Sequence, residues 1–350
     1  MRFERRDHPS RVLTVLAPVG AIVAALLVSG LLIALAGANP IRAYGLILKG
    51  AFGSRLGLSE MLTRATPLIL TGLAAAIAFR ARLWNIGGEG QVYLGALGVT
   101  AFGMIPAVAA MPAGMVIPLS MAAGAVAGMI LLLVPLGLRL KFGVDEVVTT
   151  LLLNFVAVLF VSLMIDGVMK DPLAFGWPQS VPVPDGAVLP KLMDRTRLHV
   201  GLLIAGAMAV VVWWLQSRTV FGIRARAAGL NPRAAAFAGV PLGNTLIAVA
   251  CLSGGLAGLA GAIEVMGVKG YVTTDLSPNY GYSGIVIAML ANLNPIGVIG
   301  AALFSAIMFV GADSMSRALS IPSYIADVTV ALSLLTMLVA LFLAQYRIRR

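Results

Sequence analysis

Glu146, Thr150 and Asn154 recur at intervals of four in the stretch VDEVVTTLLLN, residues 144 to 154. On an α-helix such residues stack on one face, so the spacing predicts a polar stripe running inward from a helix end. The stripe has two readings. Glu146 caps the first turn while Thr150 and Asn154 bond a neighbouring helix, or the three together line a polar pathway. A second constellation, Trp84-Asn85-Ile86-Gly87-Gly88-Glu89-Gly90-Gln91, sets a carboxylate, two amides and three glycines at the start of an apolar run. Buried polar groups at membrane depth are costly unless they are paired or face water. Glycines there let backbones approach or let a helix break. Asn85, Glu89 and Gln91 are therefore candidates for holding the fold at the edge of a translocation path. An ion pair from Glu89 to Arg80 or Arg82 at the membrane surface is the purely structural alternative. These glycines do not follow a strand in a strand-helix-strand unit, so a dinucleotide site is the wrong reading.

The third constellation is the basic segment from Arg218 to Pro241, which carries Arg218, Arg224, Arg226 and Arg233 and no acid. Short loops rich in Lys and Arg lie on the cytoplasmic side. Within it Gly229 and Pro232 break regular structure, Asn231 can cap, and Pro232 to Phe237 forms a short helix with proline in its first turn. Other chemistry finds no residues. The sequence holds no GxxxxGK(S/T) loop for ATP, no HExxH, no GxSxG, and no second histidine near His8 or His199. Its single cysteine, Cys251, sits in an apolar run as a small packing residue. A non-enzymatic chain is expected, and energy must come from a partner or a gradient.

The elements that position these residues are apolar helices. Of 350 residues, 60% are hydrophobic and 11% charged, with a mean hydropathy of +0.98; soluble domains average about 25% charged. The net charge of +11 sits in short clusters at the ends of apolar runs, where it orients helices rather than binding nucleic acid. Spans are expected near 12 to 36, 60 to 80, 87 to 105, 113 to 138, 147 to 168, 199 to 216, 243 to 267 and 323 to 344. The run from Tyr282 to Gly311 is too long for one ordinary helix and is interrupted at Asn294-Pro295. If it crosses twice, the chain makes about ten crossings with both termini cytoplasmic, as the charge rule favours. Val12 to Ala36 is too long for a signal-peptide core and is read as the first span. Arg42, Lys49 and Arg55 fall outside on this topology, which is reconciled if Pro40 to Phe52 is an interfacial helix. The loop from 169 to 198, with five prolines, is expected to be stiff and external, a connector or a contact for a delivery protein. One membrane domain, 1 to 350, accounts for the whole chain.

NIGGEGQ at 85 to 91, DEVVTTLLLN at 145 to 154 and RAAGLNPRAAAFAGV at 226 to 240 resemble the permease subunits of bacterial ABC importers of the simple-sugar and branched-chain amino-acid type. The likeness covers nearly the whole chain. It is closest to the nucleoside permeases that work with basic-membrane-protein-type lipoproteins, for which a stretch like Glu146 to Asn154 is typical. The resemblance implies an all-α polytopic fold similar to the cobalamin-importer (type II) permease, with a cytoplasmic coupling helix between the sixth and seventh spans. By it, Arg226, Gly229, Asn231, Pro232, Arg233, Phe237 and Gly239 belong to the coupling segment, with Phe237 an apolar anchor and Arg233 a charged contact on the ATP-binding subunit. Implied partners are that ATP-binding subunit, which carries ATP and Mg, a second and different permease chain, an extracytoplasmic solute-binding lipoprotein and the lipids of a bacterial inner membrane. No cofactor or metal belongs to this chain. Nucleosides are the implied substrate, with ribose-like sugars behind them; a pathway with Thr149, Thr150, Asn154 and few charges suits either. From another class, an ion-gradient-driven carrier would use Glu89 or Glu146 as its proton site, and a structural subunit would have no pathway.

Overall fold

A computed structural model describes residues 2–5, 23, 27–31, 33–35, 37–109, 111–320, 322, 324, 327, 328, 330–332, 334–336, 338, 339 and 346–349. Most of the expected spans 12 to 36 and 323 to 344 lies outside the described residues. Besides a single turn at Pro106–Ala109, the α-helices in chain order are α1 (Pro40–Phe52), α2 (Arg55–Arg80), α3 (Gly88–Gly103), α4 (Ala113–Phe142), α5 (Glu146–Asp166), α6 (Gly201–Arg218), α7 (Val220–Leu230), α8 (Pro232–Phe237), α9 (Leu242–Glu264), α10 (Tyr280–Leu290) and α11 (Pro295–Leu319). Two four-residue strands, β1 (Arg2–Arg5) and β2 (Tyr346–Arg349), pair antiparallel with Arg2 opposite Arg349. Apart from this short terminal pair the regular structure among the described residues is helical, as expected. The chain divides into two compact units, 1–62 with 303–350, and 63–302.

In the first unit, α1 has the bounds expected of the interfacial helix. Asn39 starts it by accepting the Ile41 and Arg42 N–H groups (2.9 and 3.3 Å), and Pro40 supplies the preset first turn. Ala43, Ile47 and Ala51 are buried, while Ile41, Leu48 and Phe52 are exposed.

The second unit is built on α3, α4 and α9. A Cβ on Gly95 would run into the Gly258 carbonyl, one on Gly128 into the Gly254 carbonyl, and one on Gly261 into the Val92 carbonyl. Apolar burial gives helices in lipid no drive to associate, so close packing has to supply it. Glycine lets these three backbones touch. Gly254, Gly258 and Gly261 thus do the packing work their spacing predicts.

Six helices among the described residues are long and apolar enough to cross a membrane: Arg55–Arg80, Gly114–Phe142, Glu146–Asp166, Gly201–Arg218, Leu242–Lys269 and Pro295–Leu319. The stretch expected at 87 to 105 is helical as α3, which at 16 residues is about 24 Å long at 1.5 Å per residue, shorter than a hydrocarbon core of about 30 Å. Its burial explains this. α3 is sheathed by protein along much of its length, so lipid thickness does not set its length. The expected break at Asn294-Pro295 is present. α10 is only 11 residues long, the chain turns through Asn292 and Leu293 at positive φ, and Asn294 accepts the Ile296 N–H (3.0 Å) to start α11.

The connector from 167 to 200 is held rather than free. Ser180, Val183 and Leu189 donate their N–H groups to the carbonyls of Val272, Gly270 and Met266 (2.9, 2.8 and 2.9 Å), which ties the loop to the π-helical turn Val265–Lys269 and the residues after it. His199 closes the connector. Its Nδ1 accepts the Gly201 N–H (3.1 Å), which requires the neutral tautomer with the proton on Nε2, and burial lowers its pKa to about 4.

Candidate functional site

The segment from Arg82 to Gly87 is not helical, and non-helical backbone inside a membrane protein must find its hydrogen bonds in protein or water. The stripe on α5 supplies them in order. Glu146 Oε1 accepts the Trp84 N–H (3.4 Å), Thr150 Oγ1 accepts the Ile86 N–H (3.2 Å), and Asn154 Oδ1 accepts the Gly90 N–H (2.8 Å). The Asn154 amide then donates to the Ile86 carbonyl (2.9 Å) and to the Tyr282 hydroxyl (3.0 Å). One helix face with a four-residue repeat thus holds a stretch of unwound chain. All three side chains are buried.

The helix cap itself is not Glu146. Asp145 accepts the Val147 N–H (2.7 Å) as the N-cap, which leaves the Glu146 carboxylate for the loop and for Arg139, whose Nη1 lies 2.7 Å away. Sequence reasoning missed Arg139 as this partner, although it sits seven residues earlier across the turn at Gly143.

Asn85 and Gln91 form a closed amide pair, Nδ2 to Oε1 at 3.0 Å and Nε2 to Oδ1 at 2.9 Å. Asn85 also donates to Ser253 Oγ (3.1 Å), which in turn donates to the Ala74 carbonyl (2.8 Å). α2, the unwound segment, α3 and α9 are tied together through four residues, Ala74, Asn85, Gln91 and Ser253. Ser253 was visible only as the residue before the glycines of α9.

Glu89 does not pair with Arg80 or Arg82. Its Oε2 accepts the Gly281 N–H in the first turn of α10 (2.7 Å), with Ser277 and the Asn279 backbone as further donors. The Arg80 guanidinium is engaged elsewhere, donating to Gln216 Oε1 (2.7 Å). The first turns of α3 and α10 meet here: a Cβ on Gly88 would lie 3.4 Å from the Gly281 Cα. A carboxylate between two helix N-termini is favoured by both dipoles. Glu264, the last residue of α9, is a further buried acid at 4% exposure. It lay inside the expected span 243 to 267, and an acid in an apolar run was its signal.

The coupling residues form a separate group. Asn231 Oδ1 accepts the Ala234 N–H (3.1 Å), Pro232 occupies the first turn, and α8 runs to Phe237 as predicted. Gly239 follows at φ +80°. Gly229 does not break the chain; it lies within α7, where a Cβ would run into the Arg80 carbonyl, so its role is close approach to the end of α2. Arg233 is exposed and Phe237 is 97% exposed. Arg226 lies near enough to Arg80 for mutual repulsion.

The family described as the branched-chain amino acid transport system permease component matches residues 57–341. The chain belongs to that family. It is 35% identical over 341 residues to the glucose ABC transporter permease protein TsgB13 of Haloferax volcanii, covering 95% of this chain and 89% of that one. It is 31% identical to the guanosine ABC transporter permease protein NupP of Bacillus subtilis, covering 93% of each. With the nucleoside ABC transporter permease protein NupB of Lactococcus lactis the identity is 32%, over 91% and 89%. Among solved structures, PsaBC from Streptococcus pneumoniae in complex with Fab superposes with a TM-score of 0.51 at 12% identity, covering 85% of this chain and 95% of that chain; this is a likeness of fold. As a permease family member with several apolar helices, the chain is a multi-pass transmembrane transport component.

Proposed function

We propose that this permease is the pathway-forming subunit of an ATP-driven importer of nucleosides, working by alternating access. The observation that carries the reading is α8, a capped six-residue helix that presents Phe237 almost wholly to solvent. An aromatic ring so exposed beside Arg233 suits a groove on an ATP-binding subunit, which would carry ATP and Mg. Behind α8, α7 rests on the end of α2 at Gly229, and Arg80 is followed directly by the segment held by α5. Movement imposed on α8 therefore has a backbone route to the stripe and to the meeting of α3 with α10. Asn85, Glu89, Gln91, Glu146, Thr150 and Asn154 would brace the edge of the pathway rather than face the solute along its length, since most of their polar atoms are bonded within the protein.

A second, different permease chain and an extracytoplasmic solute-binding lipoprotein complete the assembly in a bacterial inner membrane. About ten crossings and cytoplasmic termini fit it, and the β1–β2 pairing supports termini on one side. The nucleoside assignment rests on the relatives from Bacillus and Lactococcus; the Haloferax glucose relative supports the second reading, a sugar.

The test is uptake into vesicles holding the complete transporter. Labelled guanosine or adenosine should enter with ATP, be inhibited by vanadate and survive collapse of the proton gradient. Competition by glucose or ribose but not by nucleosides would move the substrate to sugars, and vanadate-resistant, gradient-dependent uptake would reject the importer. Phe237→Asp should leave the fold intact while abolishing stimulation of the ATPase by loaded binding protein; unchanged stimulation would refute the docking role.

A further inference from the structure

In the first unit, α1 lies directly against α11. A Cβ on Gly50 would run into Ser314, and one on Gly311 would lie 2.5 Å from an Ile47 methyl and 2.6 Å from its carbonyl oxygen. Beside this seam is a cavity of about 360 Å³. Two cations, Lys49 and Arg317, line it together with the Ser54 and Ser314 hydroxyls, the Glu60 carboxylate and the apolar side chains of Leu46, Leu56 and Val310. Neither Lys49 nor Arg317 has a hydrogen bond or ion pair among the described residues, and both are exposed. Ser54 Oγ accepts the Gly57 N–H (2.9 Å), which leaves its proton available to donate, and the Ser314 hydroxyl also lines the cavity.

The cavity is thus a cationic recess with hydroxyl donors on one side and aliphatic walls on the other. The surroundings decide what such a recess takes. On the same short helix Ile41, Leu48 and Phe52 are exposed, as is Leu56 at the start of α2, an apolar set that only acyl chains would cover in an interfacial helix. Cations set next to such a surface attract anionic headgroups, and a guanidinium beside an ammonium suits the oxygens of a phosphate.

We propose that this cavity binds the phosphate of an anionic glycerophospholipid, with Lys49 and Arg317 holding the phosphate oxygens and Leu46, Leu56 and Val310 flanking the glycerol and first acyl carbons. The lipid would bridge α1, the start of α2 and the end of α11. Glu60, the one acid of the lining, opposes an anion there, and Lys49 and Arg317 outnumber it.

The test uses the full chain in detergent, titrated with phosphatidylglycerol while thermal unfolding is followed, with phosphatidylcholine and inorganic phosphate as separate arms. The wild type should be stabilised by phosphatidylglycerol and not by the other two. Lys49→Gln with Arg317→Gln should weaken the apparent affinity about thirtyfold, at roughly fivefold for each cation near a headgroup. Arg42→Gln, an exposed cation of α1 that does not line the cavity, should respond as wild type. Native mass spectrometry of the same samples should show a retained phosphatidylglycerol lost from the double variant. Equal responses of the double variant and wild type would overturn the proposal, as would equal stabilisation by inorganic phosphate, which would make this a free-anion site.

Discussion

Replacing Asn154 with Leu separates bracing from pathway lining. Leu has the same number and branching of side-chain heavy atoms as Asn, though its methyls are bulkier, so the change removes three hydrogen bonds and opens no cavity. It leaves the Gly90 N–H and the Ile86 carbonyl without their side-chain partner and frees the Tyr282 hydroxyl to turn. A buried polar group left unpaired costs about 1 to 3 kcal/mol, whereas interhelical bonds in membrane proteins average about 0.6 kcal/mol. For two backbone groups and one hydroxyl, a loss of about 2 to 4 kcal/mol follows. That is roughly a thirtyfold to several-hundredfold shift toward the unfolded or unbraced state. The assay is thermal unfolding in detergent, read by size-exclusion chromatography, beside uptake at equal protein in vesicles. Asn154→Leu should lose both together. Tyr282→Phe alone should cost about 1 kcal/mol and almost nothing further in the Asn154→Leu background, because the bond it removes is already gone. Wild-type stability of Asn154→Leu would refute the bracing argument, and normal stability with lost uptake would show that Asn154 meets the solute instead.

Gly229→Ala should lower the yield of folded protein, at a cost of about 1 to 3 kcal/mol for an overpacked contact, because the new methyl collides with the backbone at Arg80; a fully stable variant would refute the close approach. Glu89→Gln keeps one oxygen for the Gly281 N–H but replaces the other acceptor by an amide donor, so the donors at Ser277 and Asn279 lose their partner and a loss of about 1 kcal/mol should appear in thermal unfolding; no change would mean that those bonds do not matter there. His199 is neutral in the folded chain with a pKa of about 4, and the unfolded chain protonates it near the ordinary 6.5. Stability should therefore be full above pH 6.5 and fall as pH drops toward 4, by up to about 3 kcal/mol. His199→Asn, which keeps an acceptor for Gly201 without titrating, should show a flatter profile between pH 7 and pH 5.

The four-residue repeat on α5 and the cap at Asn231 were legible because each follows from local geometry: helix periodicity in one, a short side chain ahead of a proline in the other. The length of α1 was legible for the same reason. What the stripe bonds to was not. The partners of Glu146, Thr150 and Asn154 lie more than sixty residues back at Trp84, Ile86 and Gly90, and no local pattern encodes that pairing. Gly229 shows the opposite error. Next to Asn231 and Pro232 it looked like part of a break, yet its missing Cβ serves a contact with a helix end nearly 150 positions earlier in the chain. The shortness of α3 against the stretch expected at 87 to 105 was not legible, because hydropathy measures transfer from water and does not say whether the surrounding medium is lipid or protein.

The meeting of α3, α4 and α9 also limits how such a transporter can cycle. Where main chain touches main chain there is no layer of side chains to change rotamer, and a slide of even one residue would drive a carbonyl into the next turn. These three helices are therefore a single stiff block. Conformational change has to be taken up at joints made of side chains and single hydrogen bonds, as at α5 and at the N-terminus of α10, and strain or spectroscopic labels placed on the block should keep their mutual distances through the whole cycle.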